Sequence, residues 1–192
     1  MGGFLRIDPA THTSAPELRR IGASTYREHF ASIWSPAALE NYLADQFDEV
    51  RIATEIRSGR TCYLVATLGP AADADLPMDT QRRVVGYCKV NFDRPDPVNG
   101  IAGMELEKIY LAPESTGRGY GAALMGAVFD LANSRKQLTV WLDVLQTNVA
   151  GRRMYERSGF TVIGEQPFAT DIQTIGFWVM RASRASGITR EG

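Results

Sequence analysis

The segment Thr116-Gly117-Arg118-Gly119-Tyr120-Gly121 is where this sequence most openly offers chemistry. It lies between a run of β-formers (residues 104–111) and a run with helical apolar spacing (residues 121–134). Glycine lacks the Cβ that would keep a ligand away from the backbone. The helix that follows would point unpaired N–H groups and the positive end of its dipole at the loop. Such a loop suits a diphosphate, although the same composition also makes a plain strand-to-helix turn. Two other phosphate loops fail on spacing. The dinucleotide pattern G-x-G-x-x-G lacks its third glycine in either register, with Leu124 standing three residues after Gly121. The P-loop pattern lacks its Lys-Ser/Thr pair.

A loop of this kind needs strands and helices to hold it. Residues 4–7 read as a strand, and residues 16–30 as a helix with Leu18, Ile21, Tyr26 and Phe30 at helical spacing. Ser35-Pro36 is a helix start, a hydroxyl cap followed by proline in the first turn. That helix carries Leu39, Leu43 and Phe47, runs on or restarts toward Ile56, and ends at Ser58-Gly59. Strands follow at 61–67, 83–92 and 104–111, with a loop at 69–81 and a turn at 93–100. After the glycine loop and its helix come a strand at 138–144 and a short helix at 148–158, with Gly159 as its left-handed cap. Strands at 160–163 and 175–180 close the chain. The order β-α-α-β-β-β-α-β-α-β-β predicts an α/β (α+β) fold: a mixed sheet with helices on both faces. Residues 1–182 read as one domain, and 183–192 as a polar tail.

Two blocks carry a resemblance. Glu105-Leu106-x-Lys108-Ile109-Tyr110-Leu111, Ala112-Pro113 and then GRGYGAALM at 117–125 resemble the acetyl-CoA segment of the GCN5-related N-acetyltransferase (GNAT) superfamily, whose loop is Gln/Arg-x-x-Gly-x-Gly/Ala. Gly119 and Gly121 fill the two small positions, and Thr116 departs from the first. Asn148-x-x-Gly151-x-x-Met154-Tyr155-x-x-x-Gly159-Phe160 is similar to the family's Asn-x-x-Ala-x-x-Phe-Tyr-x-x-x-Gly-Phe. The likeness covers residues 103–163. The N-terminal third looks most like bacterial small-molecule and polyamine acetyltransferases.

The resemblance implies a mostly antiparallel sheet and a direct attack of an amine on acetyl-CoA. An amine is protonated at neutral pH and must first lose a proton. Glu105 matches the family's strand glutamate that serves as general base, and Glu107, of the same strand parity unless a bulge intervenes, is the alternative. Tyr155 matches the general acid that protonates the leaving thiolate. Backbone at Ile109 would hold the oxyanion, and Leu111 would bond the pantetheine arm. The diphosphate falls to Thr116, Gly117, Arg118, Gly119, Tyr120 and Gly121, with Asn148 and Arg152 as further coenzyme contacts. Tyr26, Phe30 and Trp34, with His29 and Tyr42, would line the acceptor pocket. The acceptor is then a small primary amine, polyamine-like or amino-acid-like. A silent acetyl-CoA-binding domain, or an enzyme for protein N-termini or lysines, is the other reading of the same residues. The family leaves a homodimer open.

Composition narrows the rest. With 21 basic and 22 acidic residues, net charge is -1, which gives no pull toward nucleic acid or an anionic membrane. No window approaches the roughly 20 apolar residues of a membrane span. Two histidines and two cysteines, Cys62 and Cys88, without ligand spacing, predict no metal site. Two reduced thiols suit a cytoplasmic protein.

Overall fold

The computed structural model describes residues 3–70 and 82–183; the expected loop at 69–81 and the tail at 183–192 lie mostly outside them. Seven strands form one sheet: β1 (Phe4–Pro9), β2 (Thr61–Gly69), β3 (Arg83–Pro95), β4 (Ala102–Leu111), β5 (Thr139–Leu145), β6 (Thr161–Ala169) and β7 (Thr174–Ser183). Their order across the sheet is β1-β2-β3-β4-β5-β7-β6. Every neighbouring pair is antiparallel except β4 and β5. Chain order forces that exception: α4 (Tyr120–Ser134) carries the chain back across the sheet, so β5 must run with β4.

The helix α4 covers one face. Leu124, Met125, Val128, Phe129 and Ala132 recur at one-turn spacing, and all are buried against Leu106, Val140, Leu142 and Met180 of the sheet. Burying such a leucine contributes about 1.5–3 kcal/mol, so this layer fixes how β4 lies. The opposite face takes α1 (Ala15–Phe30), α2 (Pro36–Gln46) and α3 (Glu49–Ser58). Leu18 and Ile21 of α1, Ile52 of α3 and the sheet residues Tyr63, Val65 and Tyr87 form a second core. Tyr26, Leu39, Leu43 and Phe47 form a third. Contact is close at Gly22, where a Cβ would meet the Tyr87 hydroxyl and the Phe47 ring.

The chain restarts between α2 and α3, one of the two outcomes open in the sequence. The Asp48 carboxylate accepts from the Arg51 amide at 2.8 Å and caps a new helix. The expected start at Ser35 is present, its hydroxyl accepting from Ala38. Gly59 and Gly159 take positive φ, 70° and 88°, where helices α3 and α5 (Val149–Arg157) stop. No helix of the described residues is long and apolar enough to cross a membrane.

Candidate active site

The site originates where two strands part. Parallel pairing of β4 with β5 holds only at Met104–Val140 and Glu105–Trp141. Past these residues β4 stays with β3, and β5 stays with β7. The resulting wedge opens a cavity of about 390 Å³. Glu107 to Leu111 of β4 line one side, and Asp143 to Leu145 of β5 line the other. Tyr155 of α5 and Thr25, Tyr26, His29 and Phe30 of α1 also reach it.

A bulge in β4 decides which residues face this wedge. Lys89 pairs with Lys108, but the next residue, Val90, pairs with Leu106, leaving Glu107 as an extra residue. Side-chain parity therefore reverses. Met104 and Leu106 belong to the α4 core before the bulge, whereas Ile109 and Leu111 pack on that core after it. Glu105 and Glu107 stay on one face, both accepting from the Asn91 amide at 2.8 Å. The Thr61 hydroxyl donates to Asn91 Oδ1 and so orients that amide. The bulge adds Lys108 to the same face, with its ammonium bonded to Glu107 and set over the Phe47 ring.

These neighbours spread the carboxylates' acidities apart. Burial works against the Glu107 anion, but Lys108 and Lys89 outweigh it and bring its pKa down to about 2. Burial raises that of Glu105; the Asn91 bond offsets part of this, and the Glu107 charge adds to it. Asp143 opens onto the cavity and its side chain is solvent-exposed, although protein atoms crowd the site around it. That crowding, and then the Glu105 charge, raise its pKa to about 6, against a bond from Gln166 at 2.8 Å. Tyr155 is held above the ordinary phenol range by burial and by the Asp143 charge. Carboxylates with separated acidities in one cleft are a usual mark of acid–base work. Asp143 was not among the residues the sequence suggested; its only signal is one acid inside the apolar strand LTVWLDV. Glu105 stands beside the cavity without lining it, whereas Glu107 does line it.

The glycine loop has the expected open amides. Gly119 is the cap residue of α4, with φ of 81° and no side chain to satisfy the first turn. Gly117 also takes a positive φ, 72°, while Gly121 is helical and stands 3.7 Å from Leu111 and Met154 at its Cβ position. The left-handed turns thus fall on Gly117 and Gly119. Thr116 lines the cavity and donates its hydroxyl to Pro113. Tyr120 packs on the main core. Arg118 is exposed, without an ion pair among the described residues, whereas Arg152 pairs with Glu156 at 2.8 Å and stacks on Trp178. Asn148 lines the cavity; its Oδ1 caps α5 by accepting from Gly151, which leaves its amide N–H groups to donate.

At the acceptor end, Tyr26 stacks on Phe30 and on Tyr42, each at 4.6 Å between ring centres. All three line the cavity. Trp34 does not: it stands behind, donating its indole N–H to the Tyr26 hydroxyl at 3.1 Å. Phe168 and Phe177, from β6 and β7, complete the aromatic wall, a contribution the sequence could not disclose without the strand order.

A profile of the Acetyltransferase (GNAT) family matches residues 25–160. An uncharacterised N-acetyltransferase of Mycobacterium tuberculosis is 29% identical over 157 residues, 81% of this chain and 88% of that protein. Among solved structures, the PaiA N-acetyltransferase of Thermoplasma acidophilum in complex with coenzyme A superposes with a TM-score of 0.68 at 20% identity, covering 94% of this chain and 99% of that one. Spermidine N-acetyltransferase of Vibrio cholerae, in complex with CoA and spermine, superposes with a TM-score of 0.68 at 15% identity, covering 95% and 96%. At such identities the two structures speak for the fold.

Proposed function

Because the chain belongs to the GNAT acetyltransferase family, we propose that it moves the acetyl group of acetyl-CoA to the primary amine of a small molecule, by direct attack in a ternary complex. The observation that carries this reading is the wedge between β4 and β5, where Asp143 and Tyr155 share one cavity with the backbone of Ile109 and Leu111. In this reading the diphosphate lies on the amides of Gly117 to Gly121, and the thioester enters the wedge. The open positive end of α4 supports it.

The acceptor arrives as an ammonium and gives one proton to Asp143, the carboxylate that faces it. Glu105, the base expected from the family pattern, stands behind Asp143 as the second proton station. Its raised pKa and its charge interaction with Asp143 support that role. The freed amine attacks the acetyl carbon, and the oxyanion is held by backbone at Ile109. Collapse breaks the C–S bond, and Tyr155 donates its phenolic proton to the departing thiolate. The phenolate then recovers a proton from the newly bonded nitrogen, so that amide, free thiol and one proton leave. Glu107, clamped by two lysines, is too weak a base for the first step. A cytoplasmic setting is part of this reading, supported by the unpaired thiols of Cys62 and Cys88.

Free-thiol release from acetyl-CoA over a panel of small amines tests the proposal, beside calorimetric titration with CoA, ATP and NAD. We expect affinity for CoA alone among the three, and amine-dependent thiol release. A protein that takes ATP or NAD in preference to CoA would remove the basis of the assignment.

A further inference from the structure

The charged groups of the cavity are unevenly paired. On β4, one oxygen of Glu107 is bonded by Lys108 and the other by Lys89 at 2.8 Å. Lys89 continues to Glu55 at 3.0 Å, Glu55 to Arg51 at 3.3 Å, and Arg51 to Asp45 at 2.7 Å. The chain alternates in sign from the cavity to α2 and sums to zero. Lys89 and Lys108 are 6% and 8% exposed, so water does little to loosen the inner pairs. On β5, by contrast, Asp143 has among the described residues only the neutral amide of Gln166 as its bonded partner, with Lys108 acting on it as a more distant charge. Glu105 beside it has the Asn91 amide, and Arg94 approaches no closer than 3.7 Å. The cavity that Asp143 lines has an aromatic wall: Tyr26, Phe30, Tyr42, Phe168 and Phe177. The cavity therefore offers one anionic patch, at β5. The carboxylate that would form a second is cancelled by a lysine that lines the cavity itself.

We propose that the acceptor is a monoamine with an apolar or aromatic body, its single ammonium set at Asp143, and that Lys108 excludes acceptors carrying a second ammonium. This inference rests on the acetyl-transfer reading above. A second positive charge deep in the cavity would meet the Lys108 ammonium with no free carboxylate to receive it. Rings attract one cation but cannot replace a missing counter-ion for a second. An apolar body, in turn, gains from the same rings by burial.

The test compares kcat/KM for 2-phenylethylamine and spermidine by thiol release at about pH 7.5, where Asp143 is ionised, in the native protein and in Lys108→Met. The native protein should prefer the monoamine by about tenfold or more. In Lys108→Met, Glu107 keeps Lys89 as its one bonded cation among the described residues, and the preference should narrow by about tenfold. Should that variant not fold, Lys108→Gln keeps a hydrogen-bond donor to Glu107 and serves the same comparison. Equal or better use of spermidine by the native protein overturns the inference. So does a variant whose preference is unchanged, or thiol release with neither probe from a protein that binds acetyl-CoA. Failure to bind acetyl-CoA would instead sink the underlying reading.

Discussion

Among the described residues Asp143 is the one carboxylate that both lines the cavity and has its pKa raised toward neutrality, and Asp143→Asn removes it. Its pKa of about 6 comes first from the protein atoms that crowd an otherwise solvent-exposed side chain, and second from the Glu105 charge. At about pH 7.5 the native side chain is ionised, while an acceptor amine of ordinary pKa, near 10, is protonated all but about 0.3% of the time. A positioned base contributes roughly 10²–10⁴-fold; with one relay carboxylate left behind it, we expect kcat/KM to fall about 10²-fold. The pH profile is the sharper readout. Native kcat/KM should lose about tenfold per unit of pH below 6, as Asp143 takes up its proton. The variant should lack that limb and instead rise steadily with pH as free amine accumulates. Stability provides the control. The native state binds the Asp143 proton more tightly than the unfolded chain does, whose pKa is near 3.9, so ionisation of Asp143 above about pH 6 works against folding. The variant's Tm at neutral pH should therefore equal or exceed the native value. A variant within about threefold of native activity that still shows the limb near pH 6 would refute the assignment.

Glu105→Gln should move the native acidic limb to lower pH, because the strongest charge raising Asp143 is gone; kcat/KM profiles across that range would measure it. Glu107→Gln should shift the limb less than Glu105→Gln does, its charge being a smaller contributor to Asp143. It should also leave buried Lys108 without an ion pair among the described residues while Lys89 keeps Glu55, lowering unfolding free energy at neutral pH by about 3 kcal/mol in denaturant titrations. The native group's contribution is fully present above the unfolded value near 4.3 and is lost as pH falls through its folded value of about 2, so the two proteins should converge in acid. Tyr155→Phe should lower kcat about 10-fold to 10²-fold while calorimetry finds CoA affinity unchanged; unchanged turnover would remove the phenol from its acid role.

Much of the scaffold was legible because it rests on local rules. The stripe of Leu124, Val128 and Leu131, the Ser35-Pro36 start and the left-handed glycines each act within a few residues of themselves. The glycine loop was legible for the same reason. What stayed hidden depends on pairing between distant strands. Nothing in Glu105-Leu106-Glu107-Lys108 reveals that Val90 and Lys89 grip it two residues apart, and with it the burial of Lys108. Asp143 was masked by the apolar strand around it, since its neighbours in space come from β4 and β6. Trp34 failed as a cavity residue because its place behind Tyr26 depends on how α1 ends and α2 begins. The restart at Asp48 was marked by an acid before the helix, although Phe47 obscured it by continuing the apolar stripe.

The extra residue in β4 is an addition that the hydrophobic layers do not need. Removing Glu107 or Lys108 would restore plain alternation and leave Leu106, Ile109 and Leu111 toward α4 and Tyr110 toward the rings of α1 and α2. Such a deletion would take away one member of the Glu107–Lys108 pair and nothing of either core. A one-codon deletion here should therefore spare the packing and show its cost in the charges of the cavity.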